Sequence, residues 1–143
     1  MQCPSAPATE PGAVVFGVVT GAPEKPRIGY LNEAQPVTDE LLALAGEAQP
    51  GQVFRTAAPC MGGSCKHFDG SDCRLVQRIT SFMDPVVSSL PACEIRPTCR
   101  WFRQEGRAAC VRCPQVVTAT CTTDERKRWV ADPDNVGLSA ENP

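Results

Sequence analysis

Seven of the nine cysteines in this chain lie between Cys60 and Cys113, spaced C-x4-C-x7-C and, after a long gap, C-x5-C-x10-C-x2-C-P. Thiols at this density pair as disulfides, hold structural zinc or ligate an iron–sulfur cluster. The most specific local signal is Cys110-x2-Cys113-Pro114. A C-x2-C pair brings two thiolates to one centre from a single turn, and proline directly after the last cysteine recurs in ferredoxin-type cluster runs. Structural zinc ordinarily shows two such close pairs. Here only Cys110 and Cys113 form one, and the other gaps, of four, seven, five and ten residues, are irregular. A cube of iron and sulfide offers separated corners and accepts irregular spacing better than one ion does, so the spacing favours a [4Fe-4S] cluster, one or two, over zinc.

Grouped by proximity, Cys93, Cys99, Cys110 and Cys113 supply the ligands of one [4Fe-4S] centre. Cys60, Cys65 and Cys73 then need a fourth partner, His67 or Cys121, for a second cluster or for zinc. The alternative zinc set is Cys60, Cys65, His67 and Cys73. His67 is the only histidine, and it reads more readily as a neighbour of the site than as a ligand, because Cys-x-His forces two ligands close together. Cys3 reads as a free thiol in a tail.

The ends and the composition bear on compartment and partners. Met1 to Pro7 carries no basic n-region, the apolar run Ala13 to Val19 is short and broken by Gly17, and no stretch approaches the roughly 20 apolar residues of a membrane helix. A cytoplasmic protein with no membrane span is the expectation, and in a reducing cytosol dense cysteines bind metal or do redox chemistry. The odd cysteine count also fits a closed disulfide framework poorly. Net charge is −2, but residues 1–50 carry six acids against two bases, and 94–128 carry eight bases against four acids. A locally basic cysteine half can dock a negative partner or balance an anionic metal–thiolate centre.

A chain of 143 residues rich in Pro and Gly is expected to form one small, loop-rich α+β domain around a cysteine-ligated metal core. Residues 1–12, with three prolines, read as a flexible tail. Residues 13–57 read as a β-hairpin, 13–20 with 27–31, followed by a short helix from about Val37 to Ala45 with Leu41, Leu42 and Leu44 as its apolar stripe, and a third strand at 52–55. The cysteine-rich region spans 58–121, with Gly62 and Gly63 bending the chain between Cys60 and Cys65. A helix is expected from Cys73, capped by Asp72, with Leu75, Ile79, Phe82 and Val86 on one face, kinked or restarted at Asp84-Pro85. A second short helix is expected over 98–105, placing Cys99 in its first turn and stopping at Gly106. Residues 122–143 form a C-terminal extension in which Arg126-Lys127-Arg128 reads as a solvated turn before Trp129. With Arg100, Arg103, Arg107 and Arg112 these bases outline a nucleic-acid face, which is the less favoured reading.

The segments Ala58-Pro59-Cys60, Cys65-Lys66-His67-Phe68-Asp69, Cys73-Arg74-Leu75, Cys99-Arg100-Trp101-Phe102 and Cys110-Val111-Arg112-Cys113-Pro114, within roughly residues 50–120, resemble a group of small, largely uncharacterised cysteine-rich bacterial proteins. The resemblance implies an iron–sulfur cluster and no particular activity. The chain has no P-loop, no dinucleotide-binding glycine pattern and no pair of metalloprotease histidines, and a hydrolase would have to depend on His67. The leading expectation is therefore a small electron carrier to a redox partner rather than an enzyme. A cluster-based oxygen or redox sensor that binds nucleic acid, and a zinc-stabilised interaction module, are the alternatives.

Overall fold

A computed structural model of the protein describes residues 1–118 and 124–135. Its centre is a four-stranded antiparallel sheet built from β1 (Gln2–Cys3), β2 (Val14–Thr20), β3 (Arg27–Pro36) and β4 (Phe54–Pro59), in the order β1-β4-β2-β3. The β-branched run before Gly21 and the proline-bounded loop after it produce the expected hairpin, with β3 reaching Pro36 rather than Leu31. The third strand starts two residues later than expected and runs to Pro59, which carries the chain directly to Cys60.

Strand β4 is flanked on both sides and buried from Phe54 through Ala58. Side chains alternate between its faces. Ala57 packs on one side with Phe16 and Ile95, and Arg55 lies over the Phe16 and Trp101 rings. Ala58 packs on the other with Ala6 and Ala13. The expectation of a flexible tail over residues 1–12 is thereby corrected. Gln2 and Cys3 pair with Pro59 and Ala58, Ala6 is buried, and the carbonyls of Pro4 and Ala6 accept hydrogen bonds from Arg55 and Thr56.

The helices are short. The first, α1 (Asp39–Ala43), is capped by Thr38, whose hydroxyl accepts the Leu41 N–H. It buries nothing, and Leu44 is 75% exposed, so its leucines are not core. One turn, α2 (Pro50–Val53), leads into β4. Then α3 (Arg74–Phe82), α4 (Arg100–Glu105), α5 (Arg107–Cys110) and α6 (Glu125–Ala131) assemble beside the sheet. Val76, Ile79, Trp101, Ala109 and Val130 close a common core with Cys73 and Cys99, and Trp129 meets Phe82 edge-on at 4.8 Å.

Three corrections concern helix ends. The cap of α3 is Cys73, not Asp72. No helix restarts at Asp84-Pro85, because the Val86 N–H is committed to the Val111 carbonyl across the loop. The Arg126–Arg128 run is helical rather than a turn, since the Asp124 carboxylate accepts the Arg126 and Lys127 amides and starts α6.

Gly106 joins α4 to α5 at φ 65°, ψ −143°, a backbone state essentially reserved for glycine. Nothing lies within 4 Å of where a Cβ would stand, so the cost of a side chain there is conformational. Gly106→Ala is expected to destabilise the fold by about 1–3 kcal/mol, read as a lowered urea midpoint at constant slope.

The α+β, single-domain expectation is met. No helix among the described residues is long and apolar enough to cross a membrane.

Candidate functional site

Eight of the nine cysteines fall among the described residues, all as free thiols; Cys121 lies outside them. The eight gather into two sets. Cys93, Cys99, Cys110 and Cys113 line one small apolar cavity. Cys3, Cys60, Cys65 and Cys73 line another, together with His67.

In the first of these cavities the thiols are delivered by turns. A 3₁₀ turn, Arg96–Thr98, hands the chain to Cys99, which sits at the N-terminus of α4. Cys110 closes α5, and Cys113 opens a further 3₁₀ turn with Pro114 at its second position. The space between atoms, mouth included, is about 350 Å³, and Phe16, Ile95, Trp101 and Phe102 complete its walls. Burial pushes the Cys99 thiol up to about 12, against the backbone amides of Phe102 and Trp101, which favour its thiolate. Burial likewise raises Cys93 and Cys110, the latter opposed by the Arg96 guanidinium. Tyr30, on the same wall, is also raised, first by burial and then by Cys113.

Two cations serve this cavity. Arg55 is fully buried. It donates to the carbonyls of Cys113 (2.8 Å), Val116 (3.0 Å) and Pro4 (2.8 Å), and reaches the Cys113 sulfur at 3.4 Å. Arg96 is tethered to the Pro91 carbonyl and lies over Phe102. Among the described residues neither has a carboxylate partner, the ion pair there being Arg74–Asp69. The Nε of Arg55, the Nε of Arg96 and the indole Nε1 of Trp101 are buried without an acceptor. Each such donor costs about 1–3 kcal/mol unless something accepts from it.

The other cavity forms where the edge of the sheet meets α3. Gly62, at φ 57°, bends the chain into the turn before Cys65. The loop from His67 to Cys73 is closed by the Arg74 N–H donating to the His67 carbonyl, and by the Asp69 carboxylate accepting the Ser71 and Asp72 amides. Those amides hold Asp69 below its ordinary carboxylate range. Cys73 sits at the N-terminus of α3, its thiol raised by burial and opposed by the amides of Val76 and Leu75, which do not close a full cap hydrogen bond. Arg100 donates from Nε to the Cys60 sulfur at 3.0 Å.

His67 has its Nδ1 2.8 Å from the Arg78 guanidinium. A guanidinium only donates, so Nδ1 is the acceptor and Nε2 carries the ring proton. Burial and Arg78 both lower the histidine's pKa and favour this neutral form.

The two sets are joined. Gln104 of α4 accepts the Cys73 N–H and donates to the Cys73 carbonyl. Gln2 bridges to Cys99 and accepts from the Thr98 hydroxyl. The four later cysteines, adjacent in sequence, line one cavity, and Cys3, which reads as a free thiol in a tail, lines the other. The available signal was Cys3-Pro4, the same dipeptide as Cys113-Pro114.

Among the described residues no three His, Cys, Asp or Glu side chains converge closely enough to hold a single ion. Of the arginines proposed for a nucleic-acid face, Arg100 is turned to Cys60 and stacked on Phe68, Arg107 to the Ser88 carbonyl, and Arg112 to the carbonyls of Met83 and Ala108.

The fold and the cavities define a small α+β protein organised around two groups of thiols. Compared with known proteins, the chain matches no family model, no curated protein and no solved structure.

Proposed function

We propose that this protein binds an iron–sulfur cluster of the [4Fe-4S] type and serves as a small cytoplasmic electron carrier to a partner enzyme. The observation that carries the reading is the cavity of Cys93, Cys99, Cys110 and Cys113. Four thiols line an apolar space, the buried Arg55 and the half-buried Arg96 stand beside it without a carboxylate partner among the described residues, and the Nε of Arg96 and the Nε1 of Trp101 lack acceptors. A four-thiolate cluster is anionic and rich in acceptor sulfur. Arg96 on the wall and Arg55 at the Cys113 sulfur would offset its charge, and the apolar walls would limit water at the centre.

Bound there, the cluster would supply one-electron storage. The chain's own contribution would be to hold the thiolates, offset their charge through Arg55 and Arg96, and raise the potential by donating to sulfur. The scattered thiols favour a polynuclear group over one zinc ion, which needs its ligands gathered at about 2.3 Å around a point. The carrier reading is favoured over the nucleic-acid-binding sensor because Arg100 and Arg112, two bases of that face, are turned to groups within the chain.

The test is a potentiometric titration of anaerobically prepared protein, with a parallel DNA and RNA binding assay across salt. The expected result is a reversible one-electron bleaching of the visible band without nucleic-acid binding. Irreversible loss of the cluster on reduction, or binding that weakens steeply with salt, would move the protein to the sensor class.

A further inference from the structure

We propose that Cys3 is the fourth ligand of a second [4Fe-4S] site, with Cys60, Cys65 and Cys73, so that the chain holds two four-thiolate centres side by side. The proposal takes its cofactor class from the reading above; the geometry behind it is separate.

The placement of Cys3 follows from strand register. In the antiparallel pair of β1 with β4, Cys3 stands opposite Ala58 and Gln2 opposite Pro59, and the ladder continues as Cys60 donates its N–H to the Met1 carbonyl at 2.9 Å. Side chains alternate along a strand, so Ala58 and Cys60 share a face and Cys3 joins them there. Cys3 and Cys60 are thus a diagonal cross-strand pair, whose Cα atoms ordinarily lie roughly 7–8 Å apart. That separation suits two corners of a cube better than two ligands of one ion. Cys65 arrives from the glycine turn and Cys73 from the start of α3, and all four sulfur-bearing residues line the same cavity.

The surroundings hold Cys3 in place. The residue after it is clamped by Arg55 through the Pro4 carbonyl, and Ala6 is tied to Thr56. Burial pushes the Cys3 thiol up to about 11, and the Ser5 amide opposes that shift. Arg100 brings a cation to Cys60. His67 would need a free ring nitrogen to be the fourth ligand, but Arg78 occupies Nδ1 and the proton sits on Nε2. The imidazole therefore offers the cavity an N–H donor, and the fourth sulfur comes from Cys3. On loading, each of the four thiols releases its proton as its sulfur bonds to iron. The bridge from Gln2 to Cys99 places the two centres one residue apart along a hydrogen-bonded path.

The experiment reconstitutes the full chain with ferric iron, sulfide and excess dithiothreitol under anaerobic conditions, so that the ferric ions not reduced by the dithiol supply the oxidised iron of the cluster. It then compares wild type, Cys3→Ser, Cys99→Ser and Cys121→Ser for iron, sulfide and the electron spin resonance of the reduced state. Wild type is expected to hold about eight iron and eight sulfide. Cys3→Ser should fall to about half, keeping the signal that Cys99→Ser loses, and Cys121→Ser should match wild type. A second readout needs no variant. Iodoacetamide should spare Cys3 in the loaded protein and label it once an iron chelator has removed the cluster.

Full iron in Cys3→Ser, a loss in Cys121→Ser of the signal assigned to Cys3, or equal labelling of Cys3 with and without iron overturns the proposal. About four iron per chain with Cys3 unprotected would defeat the role of Cys3 alone. No uptake of iron and sulfide by wild type would defeat the cofactor reading with it.

Discussion

Arg55→Met is expected to destabilise the protein by about 3–5 kcal/mol, enough to leave much of it unfolded. Arg55, on the central strand, ties it to the N-terminal segment and to the later cysteine turn. Its two terminal nitrogens serve the carbonyls of Pro4, Cys113 and Val116 and the sulfur of Cys113. Methionine keeps much of the volume beneath the Phe16 and Trp101 rings but leaves the buried Pro4 carbonyl and the part-buried Val116 carbonyl without this donor, each at about 1–3 kcal/mol before relaxation, while the Cys113 carbonyl keeps the Val116 N–H. Arg55→Lys should recover only part of the loss, because an ammonium cannot reproduce the fork that reaches two carbonyls on one side and a third on the other. Urea unfolding of the anaerobic protein measures both. A midpoint for Arg55→Met within about 0.5 kcal/mol of wild type would mean that these contacts are ordinary surface interactions.

Cys99→Ser is expected to remove the cluster of the Cys93, Cys99, Cys110 and Cys113 cavity while leaving the fold largely intact. Cys99 is buried at the N-terminus of α4, where serine is a competent cap. The helix is therefore not the weak point of the substitution. The oxygen is a harder, shorter ligand than sulfur and holds iron–sulfide poorly, so the loss should be read in iron and sulfide rather than in helix content. Circular dichroism close to wild type with about half the iron is the expected pair of results. Unchanged iron would show that Cys99 is a core residue only, packed beside Trp101 and Ala109.

Much of this architecture is legible in local sequence because local chemistry decides it. The hairpin follows from the β-branched run of Val14 to Val19 and the Gly21–Pro26 turn; the stop of α4 follows from Gly106, whereas Pro97-Thr98 form a separate 3₁₀ turn and Cys99 caps α4 instead of lying in its first turn. The later four cysteines line one cavity because a 3₁₀ turn leads to Cys99 and the short helices α4 and α5 return the chain to Cys110 and Cys113. What was hidden is non-local. A two-residue strand has no periodicity to read, so Gln2 and Cys3 looked like tail, although Pro59 and Ala58, more than fifty residues away, hold them. Arg55 and Arg78 look like solvent-facing charges in a strand and a helix, yet both are fully buried because the carbonyls that satisfy them come from distant turns. Sequence favours Asp72 over Cys73 as the cap of α3, since thiols cap helices only weakly, and Cys73 holds that position without a side-chain cap hydrogen bond. Leu41, Leu42 and Leu44 carried helical spacing without a partner surface to meet.

The measurement that bears most directly on the central claim is iron, zinc and acid-labile sulfide content of wild-type protein purified without oxygen, with its visible spectrum. The account predicts about eight iron and eight sulfide per chain, a broad shoulder in the visible and negligible zinc. Stoichiometric zinc without sulfide would contradict it and leave the thiols as the framework of an interaction module.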